Sequence, residues 1–359
     1  MKIDRIEWWE VDQFVHQEMV NSPEYAQTHE QWDLVPKHII RLHTDDGHYG
    51  VGETSRGAAR DDLETACRSL LGVEPLTLNL RRIPLDQNSS LIYRGIETAV
   101  FDLVGRARSM RVGQLLGGYC RDEVVSSYWA GLQSPEYSSA AAAGAHEGGY
   151  SCLKIKITHG MDVVDRLQRM LEVAPDLYFI VDAMQRYDSY DEMCAIAQRC
   201  ADLNVLCIED PLPKTRLDSY KRLRGETGMP IALHLSSTRA VIEALEADAA
   251  DLFNCSPGSM VEFVRMVDVA GTADKPCWHG SGVDLGILDL SYIHATAVAE
   301  GATIPHDILS TPLHLDDFVV QMPERRGERI TVPTGPGLGG ELDMEAIARY
   351  LKSQGEWRA

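Results

Sequence analysis

From residue 124 onward, short apolar runs alternate with amphipathic helical stretches, and no other feature limits the fold so strongly. The runs fall at 124–130, 151–157, 178–182, 205–209, 231–235, 251–255, 276–279 and 303–307. Helical spacing of apolar residues marks 161–173, 189–203, 215–227, 237–247, 258–271 and 286–300. Eight strands, each followed by a helical pattern until the last, predict an α/β fold whose parallel sheet closes into a barrel. After Asp307 no clean eighth helix follows. Residues 310–340 are rich in Pro and Gly, and 343–352 read as a short helix.

The first 122 residues read differently, as an α+β domain. Residues 2–12 alternate as a strand, and 36–51 hold two more around Thr44-Asp45-Asp46-Gly47, a hairpin signal. Residues 60–72 and 90–110 read as helices, the second with Ile92, Ile96, Ala99, Val100 and Leu103 on one face. The expected division is 1–122 for this domain and 123–319 for the barrel, with 320–359 returning to the first. Between the first strands lies a polar stretch, about 15–35, with Tyr25, His29 and Trp32. That length suits either a functional flap or a disordered loop.

Within the second barrel run, Leu153-Lys154-Ile155-Lys156-Ile157 places two lysines on one face of a strand and three apolar residues on the other. Paired lysines on a buried face lose water and repel each other. An anion between them relieves this, and a lysine pKa lowered toward neutrality makes a base. A solvated sheet face is the plainer explanation of one such pair. In a parallel barrel, however, chemistry sits where strands end. The later runs end on Asp182, on Glu209-Asp210, on His234, on Asn254, on His279 and on His306-Asp307. Carboxylates converging in a barrel mouth repel unless a hard cation neutralises them. Mg²⁺ fits, with room left for substrate oxygens.

This constellation resembles the enolase superfamily, in its mandelate racemase and muconate lactonizing branch, over nearly the whole chain. Residues 36–54 and 96–122 look like that family's capping domain. The resemblance implies a modified TIM barrel, (β/α)7β, with an N-terminal cap completed by the C-terminal tail. It implies Lys156 as the acid/base lysine, Lys154 as its electrostatic partner, and Asp182 and Glu209 as metal carboxylates. The chemistry implied is removal of a proton α to a carboxylate, with an enediolate intermediate. A homo-oligomer is expected, since oligomers are frequent in the family.

Several positions depart from the family pattern. The third metal carboxylate is replaced by His234, which is either a neutral ligand favouring Mn²⁺ or another softer metal, or no ligand. Met184 stands where the family has Asn. The muconate-type lysine is absent from Asn254-Cys255-Ser256-Pro257, and His279 lacks the racemase-type Asp partner. His279 is then a general acid or a pocket wall. Arg56, Trp32, Asn254 and Asp307 are candidate substrate contacts, with Asp284 a further wall candidate. One good base makes dehydration of a hydroxy-carboxylate or sugar acid the leading expectation. Racemisation, epimerisation or cycloisomerisation is the alternative. A degenerate carboxylate-binding relative without catalysis is the reading from another class.

The net charge of −20 argues against nucleic acid or an anionic membrane as partner. Eight cysteines without a C-x-x-C pair suit small buried hydrophobes in a reducing compartment. With no signal-like start and no long apolar run, a cytoplasmic location is expected.

Overall fold

The computed structural model describes residues 1–25, 34–85, 89–309 and 313–359. The chain opens with β1 (Ile3–Phe14), β2 (Leu34–Thr44) and β3 (Tyr49–Glu53). These strands lie antiparallel, and the polar turn at residues 45–48 joins the last two. The helix Ser90–Arg108 packs on this sheet, burying Ile92, Ile96, Ala99, Val100 and Leu103 with Ile3, Ile6, Ile40 and Leu42.

Glycine sets how closely strand and helix approach. A Cβ at Gly52 would stand 2.0 Å from the Gly95 carbonyl oxygen, and one at Gly95 would stand 2.8 Å from the Glu53 carbonyl carbon. Backbone is on both sides, so neither can yield. Gly52→Ala is therefore expected to destabilise the fold by about 1–3 kcal/mol, read as a lower urea midpoint at unchanged slope.

Next come β4 (Glu123–Val125) and β5 (Tyr128–Ala130). The sequence suggests one strand over 124–130; the chain instead divides it. The series continues with β6 (Cys152–Lys156), β7 (Tyr178–Asp182), β8 (Val205–Glu209), β9 (Ile231–Leu235), β10 (Leu252–Cys255) and β11 (Cys277–His279). Strands β5 to β11 form one parallel sheet in sequence order. Residues 303–307 close it without forming a regular strand. Ile304 N and Asp307 N donate to the carbonyls of Cys277 and His279 at 3.2 and 2.9 Å. On the other side His306 N donates to Val125 O at 2.8 Å. Pro305 has no N–H, so a continuous ladder cannot run through this segment.

The helices between strands start on their own caps. Ser189, Ser237 and Ser259 each accept a backbone N–H three residues on. The helix Pro135–Glu147 has no counterpart in the sequence reading. Its stretch Ala140-Ala141-Ala142-Ala143 carries no contrast between faces, so periodicity does not mark it.

The tail adds β12 (Arg325–Arg326) and β13 (Arg329–Thr331), which pair with each other, and β13 also pairs with β4. A short helix, Met344–Arg349, leads into β14 (Leu351–Arg358), antiparallel to β1. That last strand is mostly polar on both faces and gives no alternating signal. All eight cysteines are free. No helix among the described residues is long and apolar enough to cross a membrane.

Candidate active site

Side chains alternate along a strand, and the barrel interior shows this in two layers. The floor is Cys152, Ile180, Cys207, Ala232, Leu252 and Trp278, packed together. Two residues further along the same strands stand Lys154, Asp182, Glu209, His234, Asn254 and Gly280, with Lys156 one step higher on β6. A cavity of about 80 Å³ opens over this second layer. Its polar lining includes Lys154, Lys156, Asp182, His234, Asn254 and Asp307.

Charge is dense here. Lys154 Nζ stands 2.8 Å from Glu209 Oε2, 3.0 Å from Asp307 Oδ2 and 3.8 Å from Asp182 Oδ2. Burial pulls the Lys154 pKa down, but Asp307, Glu209 and Asp182 outweigh it and hold the ammonium charged. Lys156 Nζ is 3.9 Å from Asp182 Oδ2 and 3.3 Å from the Met184 thioether. Burial first, and then the Lys154 ammonium, keep Lys156 below the ordinary lysine range. Asp182 is held below the usual carboxylate range, since Lys156 and Lys154 overcome the effect of burial. Glu209 is pushed up to about 8 by burial and by Asp182, Asp210 and Asp307, against Lys154. The cluster is short of positive charge around Glu209.

The loop after β7 is unusual. Met184 and Gln185 take φ of +51° and +59°, and the Met184 amide donates to Asp182 Oδ1 at 2.9 Å. That bond turns the carboxylate toward Lys156. Asn254 Nδ2 donates to Glu209 Oε1 at 2.8 Å, while Asn254 Oδ1 is buried without a donor. His234 Nδ1 is 3.7 Å from Glu209 Oε1. Burial, with Lys154 and Lys214 nearby, keeps its imidazole neutral. Lys214 ties the next loop down, donating to Asp210 Oδ2 at 2.8 Å and to the His234 carbonyl.

His279 does not reach the cavity. It lies between Trp278, which faces the barrel, and Gly280, so alternation turns its ring outward. There it stacks on Tyr292 at 3.7 Å between centroids and packs against Phe263 at 5.0 Å. The side chain that follows β11 into the cavity is Ser281. Counting by two from Trp278 would have identified this from sequence. Arg56 is half-buried in the turn after β3 and does not line the cavity. Trp32 lies outside the described residues. Asp284 is fully buried against Lys37 rather than in the cavity wall. Trp129, Val283, Leu309 and Leu313 form an apolar wall that the sequence reading missed. Val283 holds φ at +63°, a strained value for a β-branched residue and one found at functional sites.

Comparison with known proteins decides the family. The family model described as "Enolase C-terminal domain-like" matches residues 136–346. The chain belongs to the enolase superfamily, in its mandelate racemase and muconate lactonizing branch. An N-succinylamino acid racemase of Thermus thermophilus is 30% identical over 261 residues, 71% of this chain and 69% of that protein. A D-galactarolactone cycloisomerase of Agrobacterium fabrum is 26% identical over 355 residues, 87% of this chain and 90% of that one. The crystal structure of N-succinyl Arg/Lys racemase from Bacillus cereus superposes with a TM-score of 0.88 at 22% identity, over the full length of both chains. The fold is thus the modified TIM barrel of the enolase superfamily, and the chain is an enzyme of its lyase and isomerase classes. The relatives support racemase or cycloisomerase chemistry rather than the dehydration expected from the single base.

Enolase superfamily members generally use a divalent metal, typically Mg²⁺. Among the described residues no three His, Cys, Asp or Glu side chains stand together in metal-holding geometry. The donor chemistry nevertheless fits a cation. Glu209 lacks compensating charge, Asn254 Oδ1 has no donor, and the His234 imidazole is neutral, the form that ligates.

Proposed function

We propose that this enzyme removes the proton α to the carboxylate of a small acid and returns a proton to the substrate, an isomerase reaction. The observation that carries this reading is the shared cavity of Lys154 and Lys156, with Asp182 and Glu209 at hydrogen-bonding or ion-pairing range. Lys156 is the base. It carries the lower pKa of the two lysines, and Asp182 at 3.9 Å and the Met184 thioether at 3.3 Å are among its neighbours. Lys154 stays protonated and faces the substrate carboxylate, offering charge as the enediolate forms.

Asp182, Glu209 and His234 hold a divalent cation in this proposal. Bound there, it supplies the charge that makes the α-proton acidic enough for an amine. Return of the proton by Lys156 gives exchange without inversion, whereas delivery from the opposite wall, where Ser281 stands, gives inversion.

The test is proton NMR in D₂O with Mg²⁺ or Mn²⁺ and a panel of hydroxy acids, amino-acid derivatives and sugar acids. Loss of the α-proton signal establishes abstraction, and the product distinguishes racemisation, cycloisomerisation and dehydration. No exchange across the panel with metal present would end the proposal. A second test concerns the metal. Glu209 must lose its proton to ligate, and it holds that proton up to about pH 8. Metal affinity is therefore expected to rise about tenfold per pH unit between 6 and 8 and then level off. Calorimetric titration with Mn²⁺ reads this directly; a flat profile would remove Glu209 from the ligand set.

A further inference from the structure

We infer that the substrate is a compact acid with a single negative charge and a hydrocarbon remainder, not a dicarboxylate or an N-succinyl derivative. The inference rests on the proposed function and narrows it.

The supply of cations is the first support. Two lysines line the cavity, Lys154 and Lys156, and Lys154 is already engaged by Glu209 and Asp307 at 2.8 and 3.0 Å. That arrangement receives one substrate carboxylate. Among the described residues, two more cations stand near but outside the lining: Arg186, half-buried and close enough for its charge to act on Lys156, and Lys214, 31% exposed and engaged by Asp210 and the His234 carbonyl. Outside the described residues, 26–33, 86–88 and 310–312 contain no Lys or Arg.

The walls are the second support. Trp129, Val283, Leu309 and Leu313 line the same cavity as the lysine pair and make its apolar part. A second carboxylate would be desolvated against hydrocarbon without a partner, a costly arrangement. Size is the third. The cavity of about 80 Å³ suits a branched chain or a small ring. The apolar wall offers the far carboxylate of a succinyl arm no partner.

The experiment is binding with Mn²⁺ present, by calorimetry and by the shift in unfolding temperature. The probes are 2-hydroxy-3-methylbutanoate and tetrahydrofuran-2-carboxylate against N-succinylvaline and 2-hydroxyglutarate. The monocarboxylates are expected to bind about a hundredfold more tightly. Leu313→Arg, which places a cation in the apolar wall, is expected to reverse that order. The wild-type panel decides the matter even if this variant fails to fold. Equal or tighter binding of the dicarboxylates, or binding of none of the four, overturns the inference. Proton exchange in D₂O separates the two proposals. Dicarboxylates that bind and exchange refute the substrate class and leave proton abstraction standing. Monocarboxylates that bind selectively without exchange do the reverse.

Discussion

Replacing Lys156 by alanine will lower the rate of α-proton exchange by about 10²- to 10⁴-fold, the contribution of a positioned base. The substitution removes the amine proposed to take the proton and leaves Lys154 with its three carboxylates. The fold should persist, because the apolar side of the same run, Leu153, Ile155 and Ile157, stays buried in the core. Lys156→Arg will not rescue the rate, since a guanidinium stays protonated and cannot accept the proton. The pH dependence follows from the same geometry. The base works only as the free amine, so the wild-type rate must rise with pH until Lys156 is neutral. Burial and the Lys154 ammonium place that rise below the ordinary lysine value of about 10.4. Exchange measured by NMR across pH, in wild type and both variants, checks each point. An unchanged rate in the alanine variant would exclude Lys156 from the reaction.

The two layers of the barrel interior show which parts of this molecule a sequence reveals. The runs 178–182, 205–209 and 231–235 coincide with strands β7, β8 and β9. Because a strand's end fixes which residue faces the mouth, Asp182, Glu209 and His234 could be placed from the sequence. His279 was misplaced because position at a strand end was weighed without parity. Its neighbour Trp278 already fills the inward position, as the apolar floor requires. The wall of Trp129, Val283, Leu309 and Leu313 was not legible, since apolar residues at a strand end look like core. Val283 also reaches the cavity only through a left-handed backbone that its β-branched side chain would not suggest. Residues 303–307 had a strand's apolar character, and Pro305 with only partial backbone pairing made them a closure segment instead. Strand β14 escaped notice because its polar sequence is held by pairing with β1, 340 or more residues earlier in the chain, and not by its own pattern.

The largest effect on stability is expected at Lys37, a residue with no motif around it. Lys37 Nζ lies 2.6 Å from Glu53 Oε1 and 2.7 Å from Asp284 Oδ1, and all three side chains are fully buried. Glu53 also accepts the amides of Leu285 and Leu288 at 2.8 and 3.0 Å, holding the start of the helix Ile287–Val298. One lysine thus joins β2, β3 and the loop that presents Ser281 and Val283 to the cavity. Lys37→Met keeps the volume and strands two carboxylates in the interior, which is expected to cost about 3–5 kcal/mol. Combining it with Glu53→Gln and Asp284→Asn should recover part of that loss, because the unpaired charges then vanish together. The pH dependence can be stated by sign. Asp284 is held at about 2, below its unfolded value near 3.9, by Lys37 and Arg94 against burial. Its contribution is therefore present above about pH 4 and fades as pH falls toward 2. Lys37 is raised, since Asp284 and Glu53 overcome burial, so its contribution persists until pH exceeds its folded value. Glu53 is pushed up by burial and opposes both in part, losing stability as pH rises through its folded value. Urea unfolding of wild type and Lys37→Met at pH 7, at pH 4 and at steps down toward pH 2 measures the difference. A Lys37→Met variant as stable as wild type at pH 7 would show that the buried carboxylates find another cation, such as Arg94, whose charge already acts on both.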